Sequence, residues 1–417
     1  MTRRRPEILI ISLIIAGCLS LVFLTWANYR YSVQNPGGSD LLPRWVGTRL
    51  FLMEGKSPYS DEVTGEIHRL FYGRPARSNE DQVLFVYPLY SIFVFGPFSL
   101  VADFNMARAL WMTVLEVAVV LLVAVSLSLA RWRISPLMLG LLLLFSVLWY
   151  HSLRPLINAN ASILLSLLIA LAFLAIRAGR DGVAGALLAL STIKPQMVFL
   201  LIAFVLLWSI SRQRWVLFWS ILGNLVLMVA VTSLLLPDWV WQNVVQIVAY
   251  PNYTAPTSPG EIFAAWMPGV GSQMGRALTV VMLVMLIVEW QAAWGKEPRW
   301  MLWTALLTLT ATQLVGVPTA TENYIVLLPA LVLVFAAWDE QWGALGRSLV
   351  YISLAGLFFG LWALFLATLG QGDQPAQGLI MFFPLPLFLL TTLYWVRWWV
   401  LRPEQPVLDR LRYLRRR

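Results

Sequence analysis

The sequence is short of charge, cysteine and histidine. Charged residues make up 12% of the 417 residues, about half the share of a soluble domain, whereas hydrophobic residues make up 59%. The single cysteine, Cys18, lies within an apolar stretch, which excludes a disulfide and a thiolate metal cluster. With His68 and His151 as the only histidines, imidazole ligands are scarce as well, so we expect no bound metal.

Motifs for nucleotide and hydrolase chemistry are missing too. The sequence contains no GxxxxGK[ST] loop, no HExxH helix and no GxSxG turn, so we expect no ATP and no cofactor. The net charge of +9 could suggest a nucleic-acid partner. The basic residues, however, form short clusters between apolar runs, which membrane orientation explains, and no nucleic-acid partner is expected.

Long apolar runs are what the sequence has in abundance. Runs of about twenty residues recur along the whole chain, which favours a bundle of spanning helices over a barrel. The first run, residues 8–27, is too long for a signal peptide and is interpreted as the first span. We predict an all-α, polytopic membrane bundle of about 11–13 segments, with an amphipathic juxtamembrane helix in the first outer loop.

The distribution of charge predicts one integral membrane domain over residues 1–417. Its expected parts are a first outer loop, a core bundle, and C-terminal spans with a basic cytoplasmic tail, over residues 28–82, 83–338 and 339–417. Basic clusters such as Arg3 to Arg5 place both termini in the cytoplasm, and the turns between the clusters then face the extracytoplasmic side. Residues 83–101, broken by Pro88 and Pro97, predict a short span or a re-entrant segment.

The most informative stretch is the glycine turn in the first outer loop. Gly37 and Gly38 loosen the backbone, and Ser39 or Asp40 is a natural helix N-cap. The apolar residues that follow recur at helical spacing until Gly55: Leu42, Trp45, Val46, Leu50 and Met53. The pattern predicts a short amphipathic helix on the membrane surface, with the Asp40 carboxylate at its start.

Under this topology, the polar residues that interrupt apolar runs fall at outer helix ends. They are Asp40, Arg44, His151, Arg154, Asn158, Asn160, Lys194, Glu322 and Asn323. Polar groups at membrane depth are costly and usually line a cavity or a pathway. A carboxylate there suits removal of a proton from an acceptor hydroxyl, and Arg or Lys suits a phosphate leaving group. A sugar attached to a lipid phosphate is a substrate of this kind.

Each of these residues also has a structural interpretation. Asp40 could be a solvent-exposed helix cap, and Arg44 or Arg154 could anchor the chain to lipid headgroups or set its topology. Lys194 could extend to the interface, and the asparagines could cap helices. For the whole chain, a flippase or transporter of lipid-linked sugars is the main alternative. A transporter, however, would need polar residues through the bilayer depth and an inverted repeat.

Several of these residues lie in motifs that resemble glycosyltransferase family 87. Asp40, a helix, and then GKSPY at residues 55–59 resemble the family's "D…G-x-x-P-Y" opening. Tyr87-Pro88 resembles its Y-P-P segment, and residues 185–195, which end in Lys194-Pro195, resemble its "G-x-L-x-A-L…K-x-x-P" stretch. PTATENYIVLLP at residues 318–329 resembles its "P…H-Y…L-L-P" turn. Two departures are ANAS at residues 159–162 in place of G-Q-x-N, and Asn323 where a histidine is common.

The resemblance implies a GT-C-class enzyme of the cell membrane that transfers mannose or a related hexose from polyprenyl phosphate. It implies an inverting, metal-independent displacement on the extracytoplasmic face, with a lipid or glycan acceptor and with Asp40 as general base. The other expected site residues are phosphate-binding Lys194, Arg154 and Arg44, and sugar- or acceptor-binding Asn160, Glu322, Asn323 and Tyr59.

Overall fold

The computed structural model describes residues 6–77, 80–249, 258–370 and 377–402 of the chain. These residues form eighteen α-helices and no strand, which confirms the prediction of an all-α fold. In chain order the helices are α1 (Pro6–Gln34), α2 (Leu41–Glu54), α3 (Asp61–Tyr72), α4 (Ile92–Ser99), α5 (Phe104–Ala130), α6 (Pro136–Leu148), α7 (Tyr150–Ile157), α8 (Ser162–Arg177), α9 (Asp181–Ser191), α10 (Pro195–Ser211), α11 (Trp215–Leu235), α12 (Trp239–Ala249), α13 (Pro259–Trp266), α14 (Gly271–Ala292), α15 (Pro298–Thr312), α16 (Leu328–Trp342), α17 (Ala344–Ala367) and α18 (Pro384–Leu401).

By length and composition, six helices of the described residues could cross a membrane. They are α5, α11, α14 and α17, together with α16 and α18 when the short 3-10 turns before them are included. The bent pair α6–α7 would make a seventh, and α8, α9, α10 and the segment Leu89–Ser99 are apolar but shorter. The chain is therefore a polytopic helical membrane protein. The predicted number of segments, about 11–13, is larger because it also counts shorter apolar stretches.

Helix α2 forms where the glycine turn predicts it, but its environment differs from the prediction. It ends at Gly55, whose φ of +69° is the left-handed conformation typical of a helix C-terminus. Its first eight residues, 41–48, are all buried, because α2 packs against α3, α4 and α5. The expectation of an amphipathic helix on the membrane surface is thus wrong for this half of α2. The amphipathic helix of the loop is α3, which buries Val63, Ile67 and His68 on one face.

Helices α9 and α10 form a hairpin that shows how the two ends of the bundle differ. At the open end of the hairpin, Arg214 Nε donates to Asp181 Oδ2 over 3.0 Å. The turn at the other end carries Lys194, which contacts Asn160 and Asn323. We call the end of the bundle with Arg214 and Asp181 the basic end, and the end with Lys194 and Asn160 the carboxylate end. Residues 3–5 and 410–417, which also bear on orientation, lie outside the described residues.

Candidate active site

Asp40 precedes α2 but does not cap it. The residue has helical backbone angles, and its side chain makes no hydrogen bond to the first turn of α2. Instead, its Oδ2 accepts from Asn160 Nδ2 at 3.0 Å, and its backbone N–H donates to the Asn158 carbonyl at 3.2 Å. The N-cap interpretation is therefore wrong for this carboxylate, which is turned away from the helix toward the turn at residues 158–160.

Arg108, which the sequence analysis did not single out, fixes the loop that carries Asp40. Its side chain is 1% exposed and donates to the carbonyls of Asn35, at 2.7 Å, and Ile157, at 2.9 Å. These carbonyls lie at the C-terminal ends of α1 and α7, where a cation is favourable. A Cβ at Gly38, whose φ is +76°, would lie 2.9 Å from Arg108 Cδ. The sequence feature that indicates such a role is an arginine near the start of an apolar span, where an unpaired charge would be costly.

Asn160 is the centre of the hydrogen-bond network at the carboxylate end. Its Nδ2 donates to Asp40 and also to Glu322 Oε2, the latter at 2.9 Å. Its Oδ1 accepts from Lys194 Nζ at 2.7 Å and from the Ser162 N–H at 2.9 Å. All four hydrogen-bonding positions of this 2% exposed amide are therefore used within the protein. Through them, one side chain links two carboxylates to a lysine.

Glu322 lies on the 3-10 turn Thr321–Leu327 that precedes α16. Its Oε1 accepts from Asn158 Nδ2, and its Oε2 accepts from the same Asn160 nitrogen that bonds Asp40. The turn is held in place by Ser162 Oγ, which donates to the Glu322 carbonyl at 3.0 Å. The buried ring of His151 adds a contact of 2.8 Å between Nδ1 and the Thr321 carbonyl. Two carboxylates from distant parts of the chain thus become neighbours.

Lys194 is buried without a carboxylate partner among the described residues. Its Nζ donates to the side-chain oxygens of Asn160 and Asn323, the latter at 2.8 Å. Asn323 is oriented by its own bond to Thr319 Oγ1 at 3.1 Å. This 4% exposed ammonium is therefore bonded directly to two neutral amides, and the carboxylates of Asp40 and Glu322 lie on the far side of Asn160.

Arg44 and Lys194 converge on the ring of Tyr87. The guanidinium carbon of Arg44 lies 4.0 Å from the ring centroid, and Lys194 Nζ lies 5.9 Å from it. Arg44 is 7% exposed, and its Nε is buried without a hydrogen-bond partner. A phosphate oxygen would supply the acceptor that this donor lacks among the described residues. We call Arg44, Lys194 and Tyr87 the cation pocket.

Two further predicted residues, Arg154 and Tyr59, lie around this network. Arg154 stacks on Phe365, with its guanidinium carbon 5.2 Å from the ring, and is a charge neighbour of Glu322. The Tyr59 hydroxyl donates to the Tyr87 carbonyl at 2.7 Å. The structure therefore places Tyr59 as a support for the cation pocket and gives it no contact with the two carboxylates.

The arrangement joins a carboxylate, which can act as a base, to two cations, which can bind an anion. Asp40 and the cation pocket are connected through Asn160, whose two ends bond Asp40 and Lys194. Within the part of the chain that the structure describes, no group of three metal-ligating side chains is close enough to hold a metal ion. The geometry suits removal of a proton from a hydroxyl beside a departing phosphate.

Comparison with protein-family models matches residues 85–315, more than half of the chain, to the model described as glycosyltransferase family 87. The matched region contains Tyr87, Asn160 and Lys194, while Asp40 and Glu322 lie outside it. No curated protein and no solved structure matches the chain.

Proposed function

We propose, from the premise that this chain belongs to glycosyltransferase family 87, that it transfers a hexose from a polyprenyl-phosphate carrier to a hydroxyl group. Family membership and the helical bundle make it a membrane glycosyltransferase. The sugar in our proposal is mannose or a related hexose, and the acceptor is a lipid or a glycan. The donor needs no nucleotide, because its phosphate is already carried by a membrane lipid.

The proposal rests on the cation pocket and on its connection to Asp40 through Asn160. When the sugar leaves, the phosphodiester of the donor becomes a phosphate monoester, and its negative charge grows by one. Arg44 and Lys194 are buried and neither is in an ion pair with a described carboxylate, so both are arranged in advance for that charge. A pocket of this kind favours the transition state over the ground state, because the charge is larger there.

The proposed reaction is a single displacement. Asp40 takes the proton of the acceptor hydroxyl, and the acceptor oxygen forms a bond to the anomeric carbon. The bond from that carbon to the phosphate oxygen breaks, and its electron pair stays on the phosphate, which the cation pocket holds. Attack opposite to the leaving group inverts the anomeric configuration. No covalent sugar–enzyme intermediate is formed.

The other side chains of the site orient these groups. Asn160 holds Asp40 and Lys194 in a fixed relation, and Asn158 and Asn160 both orient Glu322. We propose that Glu322 and Asn323 contact the sugar or the acceptor, and that Arg154 adds positive charge near the donor phosphate. In this proposal Tyr59 acts through Tyr87, whose carbonyl it bonds.

The extracytoplasmic face is the proposed side of the reaction. The carboxylate end of the bundle lies opposite the end where Arg177, Arg214 and Arg347 are found. Because short basic loops remain in the cytoplasm, this distribution supports a cytoplasmic basic end and an extracytoplasmic site. The cell membrane is the corresponding proposed location.

The proposal is tested by Asp40→Asn, assayed in membranes with a radiolabelled polyprenyl-phosphate sugar at equal expression. Loss of a general base should lower transfer by about 10²- to 10⁴-fold. The matched control is Asp61→Asn, an exposed carboxylate at the start of α3, which should keep wild-type transfer. If Asp40→Asn transfers sugar at the wild-type rate, Asp40 is not the base. If wild-type membranes only move the labelled lipid across the bilayer, the chain is a flippase.

A further inference from the structure

A polar cavity of about 270 Å³ lies at the basic end of the bundle, opposite the carboxylate end. It is formed by the loop between α5 and α6, the end of α16 and the start of α17. Its lining includes Arg133, Ile134, Ser135, Asp339, Arg347 and Tyr351. We propose that this cavity binds the phosphate of an anionic phospholipid whose acyl chains lie along α6 and α17.

The charge of the cavity is positive once its internal bonds are counted. Asp339 is the only acidic side chain in the lining, and both of its oxygens are occupied. Trp132 Nε1 donates to Oδ2 at 2.9 Å, and Arg347 Nη1 donates to Oδ1 at 3.1 Å. Arg133 makes no hydrogen bond or ion pair with any other described residue. One guanidinium is therefore left to pair with an anion from outside the chain.

The position of the cavity matches a lipid headgroup better than a soluble anion. The cavity lies at the ends of α5, α16 and α17, which are long and apolar enough to span a membrane, so a membrane surface is expected at this level. Large apolar side chains continue from the cavity along both helices and are exposed: Leu137 and Leu144 on α6, and Ile352 and Phe359 on α17. A phosphate with two acyl chains satisfies the polar cavity and these apolar surfaces together, as in other basic pockets between membrane helices.

The two walls of the cavity belong to segments that reach the proposed active site at their other ends. One wall begins α6, which leads through α7 to Asn158 and Asn160. The other wall is the end of α16, which begins just after Glu322 and Asn323. A lipid bound here would hold these two segments together at the basic end. The inference does not depend on the proposed reaction.

The test is thermal unfolding of the purified full-length protein in a neutral detergent, titrated with dioleoyl phosphatidylglycerol or with dioleoyl phosphatidylcholine. The anionic lipid should raise the unfolding temperature saturably, and the neutral lipid should not. Arg133→Gln should raise the half-saturating concentration of phosphatidylglycerol about five-fold, the effect of one basic side chain near an anionic lipid.

Two further variants distinguish an effect of the cavity's charge from an effect of distorting the cavity. Asp339→Asn removes the only negative charge of the lining and keeps an oxygen for Trp132, so it should lower the half-saturating concentration. The matched control is Arg212→Gln, an exposed cation at the same end that contacts the Gly295 carbonyl, and it should change nothing.

Four results would overturn the proposal. In the first, Arg133→Gln binds phosphatidylglycerol like the wild type. In the second, Arg212→Gln weakens binding as much as Arg133→Gln does, which would indicate general surface charge. In the third, Asp339→Asn weakens binding, which would indicate distortion. In the fourth, inorganic phosphate reproduces the stabilisation, which would assign the cavity to a soluble anion.

Discussion

At the residue scale, the proposed site depends on two residues, Tyr87 and Asn160, that take no part in the chemical step but hold the reacting groups in place. All hydrogen-bonding positions of the Asn160 amide are occupied by protein partners, so a substitution there affects Asp40 and Lys194 together. The Tyr87 ring lies against both cations and partly compensates their burial. Neither residue needs to touch a proton or a phosphate to matter for the reaction.

Tyr87→Leu should raise the KM for the polyprenyl-phosphate donor about ten-fold, with a smaller change in kcat. The reason is that leucine removes the aromatic face that holds Arg44 and Lys194, an interaction of about 0.5–2 kcal/mol. Steady-state kinetics with the labelled donor measure both parameters. Tyr87→Phe keeps the ring and should match the wild type. Equal losses in the two variants would assign the effect to the hydroxyl, and an unchanged KM in Tyr87→Leu would contradict the cation pocket.

At the element scale, the contacts of Arg108 join three helices at the place where the site is built. From α5, its guanidinium bonds the carbonyls at the ends of α1 and α7, and Gly37 and Gly38 allow it to pass close to the backbone. One turn later, Trp111 Nε1 donates to the Ala159 carbonyl at 2.9 Å, beside Asn160. The loop of Asp40 and the turn of Asn160 are therefore positioned from the same helix.

Gly38→Ala should lower kcat by at least ten-fold, whereas Gly55→Ala should leave it near the wild-type value. Both glycines have positive φ, so each alanine costs about 1 kcal/mol of backbone strain. Only at Gly38 does the new Cβ meet Arg108, since no atom lies within 4 Å of a Cβ at Gly55. A displacement of about 1 Å at a catalytic group can cost about 100-fold in rate.

Unfolding temperatures and transfer assays of the two glycine variants provide the comparison. Similar losses of unfolding temperature with unequal losses of activity would support the role of Arg108 in positioning Asp40. Equal activities in the two variants would contradict it.

At the scale of the whole molecule, the bundle separates two kinds of polar group. The side chains of the candidate site, Asp40, Asn160, Lys194 and Glu322, lie at one end, and Arg177, Arg214 and Arg347 lie at the other. The helices between the two ends are mostly apolar, with Glu116 of α5 bonded to Asn28 of α1, and α16 is buried along almost its whole length. The proposed reaction on one face of a membrane agrees with this arrangement.

The orientation of the bundle can be measured by cysteine labelling. In a Cys18→Ser background, Glu62→Cys on α3 should react with a membrane-impermeant maleimide on intact cells. Arg180→Cys in the exposed turn before α9 should react only after the membrane is permeabilised, because basic turns remain in the cytoplasm. The opposite pattern would place the carboxylate end in the cytoplasm and overturn the proposed side of the reaction.

Local sequence signals were sufficient to predict where helices begin and end, but not to predict which parts of the protein surround them. The helix from residue 41 and its end at Gly55 follow from a glycine turn, a 3.6-residue repeat and a left-handed C-terminus, all of which act over a few residues. The burial of the first half of α2 depends on α3, α4 and α5, which no local pattern encodes. For the same reason, the sequence offers a helix cap as the structural role of Asp40, whereas its hydrogen-bond partner Asn160 is 120 residues away.

The sequence by itself determined that the chain is a helical membrane protein and that its unusual polar residues gather at helix ends. Both follow from the cost of placing polar groups in hydrocarbon, which hydropathy records residue by residue. Only the tertiary structure decided which polar groups meet: Asn160 between Asp40 and Lys194, Arg44 beside Tyr87, and Arg108 beneath the glycine turn. Those contacts join distant parts of the chain, and they form because a buried donor or acceptor must find a partner in three dimensions.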